Sequence, residues 1–238
     1  MTSVADHYAD YLGPIYVWMA GGMDHALALG KRDLDGVIGA GGAAVDLGAG
    51  FGMHTIPLAR AGYKVLAVDT CDRLLDELRR HSTGLDIQAE HCDMLRFQEH
   101  LSEKADLILC MGDTLPHLQT MEDVSLLLQR IAESLSPTGR FVAAFRDYTR
   151  LPQGAARFIP VRSDSDRIHT CFLEEQPEHV VVHDVIHEKG DHDWEMTVSS
   201  YTKLRLSPYV VNDALLELGL KSAIGPGARG MVSATAHR

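Results

Sequence analysis

The stretch Val45-Asp46-Leu47-Gly48-Ala49-Gly50-Phe51-Gly52 constrains this chain more than any other. An apolar run enters three alternating glycines, and a helical pattern follows. The segment reads as a buried strand, a tight loop and a helix start. Glycine takes positive φ at no steric cost and lets backbone approach a ligand closely. Further on, Val65-Leu66-Ala67-Val68-Asp69 reads as a second buried strand ending in a carboxylate.

From there strand and helix signals alternate. Strand 43–48 leads to helix 52–61, and strand 64–69 to helix 72–81. A weaker strand at 85–90, a short helix at 94–102 and a strand at 105–111 follow. Thr120-Met121-Glu122-Asp123 has the form of a helix N-cap for a helix running to Leu135. Ser136-Pro137-Thr138-Gly139 is a turn into strand 140–146. This alternation predicts an α/β fold with a mainly parallel sheet and helices on both faces. The continuous apolar runs Ala105 to Met111 and Phe141 to Phe145 fit strands covered on both sides.

After Tyr148 the pattern changes. Residues 166–175, 179–188 and 193–206 alternate like exposed-edged strands, with turns at Gln176-Pro177-Glu178 and Lys189-Gly190-Asp191. They predict an antiparallel three-strand insertion after the fifth strand of the main sheet. Ser207-Pro208 opens a helix ending near Gly219, and short strands at 221–224 and 230–236 close the chain. Residues 1–34 carry a helical stripe of Tyr8, Tyr11, Tyr16, Trp18, Met19 and Met23, which Pro14 is expected to break into two helices. The expected division is an N-terminal helical segment at 1–42, a core at 43–150, the β insertion at 151–206, and a helix and strands at 207–238 completing a seven-stranded sheet.

With 238 residues and a net charge of −11, the chain has no basic block to neutralise phosphates, which argues against a nucleic-acid partner. Its four cysteines form no C-x-x-C pair and read as reduced thiols. No apolar run approaches the ~20 residues that span a bilayer, and no signal peptide is evident, so no membrane partner and a cytoplasmic location are expected.

The glycine loop can be read more closely. A dinucleotide fingerprint, G-x-G-x-x-G, would require glycine where Met53 stands. The chain has instead an acid two residues before a G-x-G-x-G run. This pattern resembles motif I of the class I (Rossmann-like) S-adenosylmethionine-dependent methyltransferases of small-molecule type. The resemblance implies S-adenosylmethionine (SAM) as cofactor and S-adenosylhomocysteine as product. It assigns Gly48, Ala49 and Gly50 to the cofactor loop, Asp46 to the ammonium of the methionine tail, and Asp69 with Thr70 to the ribose. Asp93 and Met94, in Cys92-Asp93-Met94 after the third strand, fall to the adenine. Met111 and Gly112, at the end of the fourth strand, fall to the methionine tail.

The acceptor side is less constrained. The loop Gly112-Asp113-Thr114-Leu115-Pro116-His117-Leu118 departs from the (Asp/Asn)-Pro-Pro-(Tyr/Phe) motif of enzymes acting on planar nitrogens, and is more like the loop of glycine N-methyltransferase. Asp113 and His117 are its candidate bases, or else a loop cap and a packing residue. Arg146 can meet a substrate carboxylate through two parallel hydrogen bonds or shape its own loop. The insertion is rich in histidine: His169, His179, His183, His187 and His192. They match no metal signature, and exposed strand histidines without a metal are expected. Arg157, Arg162, Arg167, His169, Tyr201 and Arg205 are candidates for an acceptor pocket under these strands. The resemblance gives the N-terminal segment a lid role, with Tyr11 or Tyr16 facing the substrate, and gives the inserted strands a pocket-covering or homodimer role. The expected activity is methyl transfer to nitrogen or oxygen of a small molecule. A nicotinamide-dependent oxidoreductase and a non-catalytic SAM-binding module are the alternatives.

Overall fold

A computed structural model describes residues 3–238. The glycine loop sits where the sequence places it, between strand β1 (Gly42–Leu47) and helix α4 (Thr55–Arg60). Before it come α1 (Val4–Asp6), α2 (Tyr16–Met19) and α3 (Met23–Asp33). After it, β2 (Tyr63–Asp69), α5 (Asp72–His81), β3 (Ile87–His91), β4 (Ala105–Cys110), α6 (Met121–Ser134) and β5 (Leu135–Phe145) build the core. Helix α7 (Pro208–Glu217) and strands β10 (Lys221–Pro226) and β11 (Val232–His237) complete it.

The seven strands lie in the order β10-β11-β5-β4-β1-β2-β3. Strands β1 to β5 pair in parallel, and β11 runs antiparallel to both of its neighbours. The sheet interior is apolar on both faces: Val45, Leu47, Ile108, Cys110 and Phe141 pack toward α6 and α7, and Ala44, Val65, Leu107 and Leu109 toward the opposite side. Helix α6 shows why the helices form. Thr120 Oγ1 accepts from Asp123 N at 3.1 Å, and Val124, Leu127, Leu128 and Ile131 form one buried face at helical spacing.

Between β5 and α7 lies a separate four-stranded antiparallel sheet: β6 (Phe158–Ser163), β7 (Arg167–Glu175), β8 (His179–Lys189) and β9 (Trp194–Leu204), in that order. The sequence predicts three of these strands. The fourth, β6, contains Pro160, which reads as an interruption. It is tolerated because β6 is an edge strand, where a missing N–H breaks no ladder bond. The N-terminal segment also differs from expectation. Pro14 does not break it; residues 4–19 continue through a π-helical turn (His7–Leu12) and a 3₁₀ turn (Gly13–Ile15). The break falls at Gly21 and Gly22, with φ of 93° and 90°. Ser136–Gly139 is expected as a turn before β5, yet Leu135 pairs with Ala105 and Arg140 with Leu107. The turn is therefore a bulge inside a longer strand.

Candidate active site

The strand order reverses between β1 and β4, so a crevice opens beyond their carboxyl ends. A cleft of about 800 Å³, counting its open mouth, occupies that place. Its floor is the glycine loop. Gly48, Gly50 and Gly52 have φ of 71°, 53° and 92°. A Cβ on Gly48 would stand 2.3 Å from Thr114 Cγ2, so the loop needs glycine for space as well as conformation. The N–H groups of Gly48 and Ala49 both donate to Val68 O, at 2.9 and 3.0 Å, which ties the loop to β2.

Asp69, at the end of β2, is gripped from two sides. Gly50 N–H donates to Oδ2 and Cys71 N–H to Oδ1, each at 2.8 Å. These bonds fix the carboxylate in the cleft wall. Burial pushes its pKa up, and the two backbone donors oppose that shift. Thr70, Leu74, Cys92 and Met94 extend this end of the cleft, and Met111, Gly112 and Thr114 line the other.

Two predicted cofactor contacts lie elsewhere. Asp46 is 1% exposed and does not line the cleft; its Oδ2 accepts from Thr55 Oγ1 at 2.6 Å. It anchors the first turn of α4 behind the loop, and burial raises its pKa. Asp93 stands exposed at the rim, where Oδ1 caps the following turn by accepting from Leu95 N at 2.8 Å. Its neighbours Cys92 and Met94 line the cleft instead.

The loop after β4 separates its two candidate bases. Asp113 has φ of 71° and its carboxylate faces away from the cleft. Arg146 N–H donates to Oδ1 at 2.8 Å, Tyr148 O–H to Oδ2 at 2.6 Å, and Lys203 Nζ pairs with the same oxygen. Three donors, one a buried ammonium, leave Asp113 no free edge for a substrate proton. Of its two expected roles, candidate base and loop cap, these contacts fit the loop cap. His117 does line the cleft. Its Nε2 lies 3.3 Å from Tyr8 O–H, its ring stacks on Tyr201 with centroids 5.5 Å apart, and Nδ1 is buried without a protein partner. Burial, helped by the charges of Lys203 and His7, holds its pKa well below that of free imidazole, so the ring is neutral.

The N-terminal segment roofs the cleft with Val4, Tyr8 and Tyr16. The Tyr16 hydroxyl is pushed up to about 12, chiefly by burial and then by the Asp69 carboxylate. The other predicted substrate residues are placed differently. Tyr201 stands one layer behind His117. Tyr11 donates to Thr197 O at 2.7 Å, away from the cleft. His169 is 1% exposed rather than at the surface, and its Nε2 meets Asp184 Oδ1 at 2.7 Å. Arg146 is exposed beyond Asp113, outside the cleft lining.

The sequence reading missed His7. Its Nε2 meets the second Asp184 oxygen at 3.0 Å and its Nδ1 meets Ser199 Oγ at 2.7 Å. Asp184 is thus clamped between two imidazoles. Burial pushes its pKa up, but the bonds from His169 and His7 outweigh burial and leave it below the usual carboxylate range. The link joins residues 177 apart in the chain, which no local pattern announces.

The sequence profile of the methyltransferase domain family matches residues 44–139, the part that carries the glycine loop, Asp69 and the end of β4. Over that stretch the chain is similar to methyltransferase domains. The relatives are distant. A glycine/sarcosine N-methyltransferase of Aphanothece halophytica is 28% identical over 44% of this chain and 40% of its own length. A cypemycin N-terminal methyltransferase of a Streptomyces species is 31% identical over 53% of this chain and 56% of its own length. The chain thus spans about half the length of these curated relatives. Solved structures share the whole fold. The CcbJ methyltransferase of Streptomyces caelestis superposes with a TM-score of 0.78 at 17% identity, over 97% of both chains. A SAM-bound amino pentose methyltransferase of Micromonospora echinaspora gives 0.76 at 17% identity, over 94% of this chain and 95% of its own. The matched residues supply the cleft's floor and walls, and of its lining only the roof residues Val4, Tyr8 and Tyr16 lie outside them.

Proposed function

We propose that this protein transfers a methyl group from SAM to nitrogen or oxygen of a small molecule. The observation that carries this reading is Asp69, aimed into the cleft by the N–H groups of Gly50 and Cys71 beside a loop that only glycine can form. Its carboxylate retains acceptor capacity for two ribose hydroxyls. The apolar side chains of Cys92 and Met94 form a slot suited to a flat base, with Asp93 at its rim to meet an exocyclic amine. Gly48, Ala49, Gly50, Met111 and Gly112 leave a backbone-lined channel for the amino-acid tail. Asp46 acts only indirectly, through Thr55.

When bound, SAM supplies an activated methyl group on a cationic sulfur. The chain's own residues supply position. Tyr8, Tyr16 and His117 close the cleft over the reacting region and exclude water, and positioning of reactants is a large share of such a displacement. Residues 1–42 would serve as the lid, although residues 1 and 2 lie outside the described residues. The acceptor is the partner this reading names. For a second copy of the chain, the outer face of the four-stranded sheet, with Phe158, Met196 and Val198 exposed, offers an apolar surface. A cytoplasmic setting suits the four free cysteines, and no helix among the described residues is long and apolar enough to cross a membrane.

Calorimetric titration tests the reading. SAM and S-adenosylhomocysteine should bind, NAD should not, and Asp69→Ala should weaken both by about 150-fold or more, the loss of roughly two hydrogen bonds to a charged group at about 1.5 kcal/mol or more each. Binding of NAD without SAM would return the reading to an oxidoreductase. SAM binding without methyl transfer to any metabolite tried would return it to a non-catalytic module.

A further inference from the structure

The cofactor proposed for this cleft brings an anion of its own. The amino-acid tail of SAM ends in an ammonium and a carboxylate. Carbonyl oxygens of the backbone-lined channel can take the ammonium, but the carboxylate needs donors, and without them its desolvation costs several kcal/mol. The glycine loop has few N–H groups to give. Those of Gly48 and Ala49 go to Val68 O, that of Gly50 to Asp69, and that of Gly52 to Ala49 O. Thr114 Oγ1 donates to Met111 O at 2.7 Å. Among the described residues that line the cleft there is no lysine and no arginine. The side chains there that can carry positive charge are two imidazoles, His54 and His117.

His117 is unsuited: burial and the charges of Lys203 and His7 keep its ring neutral. His54 differs in its surroundings. It stands at the start of α4, directly after the glycine loop, and is 6% exposed in the cleft wall. Its Nε2 lies 3.1 Å from Asp33 Oδ2. Asp33 in turn accepts from Arg229 Nη1 at 3.0 and 2.7 Å. Arg229 reaches it from a strained backbone, with φ of 54°, a conformation that persists only where the surroundings hold it. Burial pushes the Asp33 carboxyl up, but the bonds from His54 and Arg229 outweigh burial and leave it below the usual carboxylate range. Asp33 is thus an anion, and the His54 Nε2–H donates to it. His54 Nδ1 makes no hydrogen bond among the described residues. Asp46 stands behind the ring as well: burial raises its pKa, and the nearby His54 is the largest influence opposing that rise. Two acids therefore back a ring whose second nitrogen is unengaged.

We propose that His54 takes the carboxylate of the cofactor's tail on Nδ1, as an imidazolium held from behind by Asp33. This rests on the methyltransferase reading and deepens it. The ring then turns one N–H toward each of two carboxylates, and charge-assisted bonds of this kind are roughly twice as strong as neutral ones. Asp33 and Arg229, which back the ring, lie outside the matched residues 44–139, so part of the cofactor's hold comes from α3 and from the turn between β10 and β11.

Calorimetry with two ligands tests it: S-adenosylhomocysteine and its decarboxylated analogue, S-adenosyl-3-thiopropylamine, which differ only in the carboxylate. Failure of the parent to bind S-adenosylhomocysteine would sink the underlying reading, whereas the comparisons that follow bear on His54 alone. The parent should prefer S-adenosylhomocysteine to the analogue by about 10-fold or more. In His54→Ala and His54→Gln that preference should fall below about threefold, through lost affinity for S-adenosylhomocysteine and with the analogue bound as in the parent. Glutamine keeps a donor for Asp33, so this variant removes the charge and spares the tie between α3 and the loop. Asp33→Asn should lower the preference as well, and an unchanged one would remove Asp33 from the site. Equal binding of the two ligands by the parent overturns the proposal, as does a preference that survives in either His54 variant. So does equal loss of both ligands in a variant that keeps the parent's circular dichroism, since the ring would then shape the loop without reading the carboxylate.

Discussion

Replacing Asp184 with asparagine isolates the clamp between the N-terminal segment and the inserted sheet. Asparagine keeps the shape and one acceptor oxygen but removes the charge that His7 and His169 face at 3.0 and 2.7 Å. The carboxylate is 5% exposed as a side chain, so solvent cannot replace what is lost. A hydrogen bond to a charged group is worth about 1.5–3 kcal/mol, and breaking one side of a buried pair costs about 3–5 kcal/mol. Because the retained oxygen still accepts one bond, the lower end applies, about 3 kcal/mol. For a chain of this size each kcal/mol shifts Tm by about 2–4 °C, so Asp184→Asn should melt roughly 6–12 °C below the parent at pH 7. The pH dependence has a definite sign. The folded pKa of Asp184 is depressed, so its contribution is fully present above the unfolded value of about 3.9 and is lost as pH falls through the lower folded value. The part of the Tm gap that the carboxylate charge supplies, read by circular dichroism, should therefore shrink as pH falls below about 4. A gap under 1 °C at pH 7, or one that widens as pH falls from about 4, would refute the argument.

Other outcomes follow from the same geometry. Lys203→Met should cost about 3–5 kcal/mol in urea denaturation, because Asp113 is left buried without its cation. The double variant with Asp113→Asn should lose less than the sum of the two single losses, and full additivity would show that the pair does not interact. His117→Asn should lower kcat by about 100-fold and SAM affinity by much less, since the ring sits with Tyr8 in the part of the cleft that closes over the reacting region. The depressed pKa of His117 also means that the parent's rate profile should show no break from this residue near 6.5, and a break there that vanishes in His117→Asn would contradict a neutral, buried imidazole.

Much of the core was legible because its signals are local. Helix α5 falls at 72–81 as read, since Leu74, Leu75 and Leu78 mark its buried face and Arg79, Arg80 and His81 its last turn. The glycine loop and Asp69 were legible because only a few residue types permit that turn and that strand end. Asp46 was misread because a strand-end acid looks alike whether it faces ligand or helix, and Thr55 decides the matter by its hydroxyl. Asp113 stayed open between base and loop cap for a related reason: its ion-pair partner, Lys203, stands 90 positions later. The strand β6 escaped because Pro160 is forbidden in central strands and harmless at an edge. His169 and His7 were opaque for a single cause, that their meaning lies in Asp184, a residue on another strand.

The clamp has a consequence for when the cleft comes into being. Its floor is made of neighbours in sequence, but its roof begins at Val4 and is pinned to Asp184 and Ser199. The strands that carry these two must emerge and pair before the roof has anything to dock on. The cleft is thus expected to form late in folding, since closing so long a loop is slow. A ligand that needs the roof would bind only the finished molecule and so draw the population toward it by mass action. Cleavage within residues 3–22 by a protease, followed against time with and without S-adenosylhomocysteine, would then report how often the N-terminal segment leaves the inserted sheet.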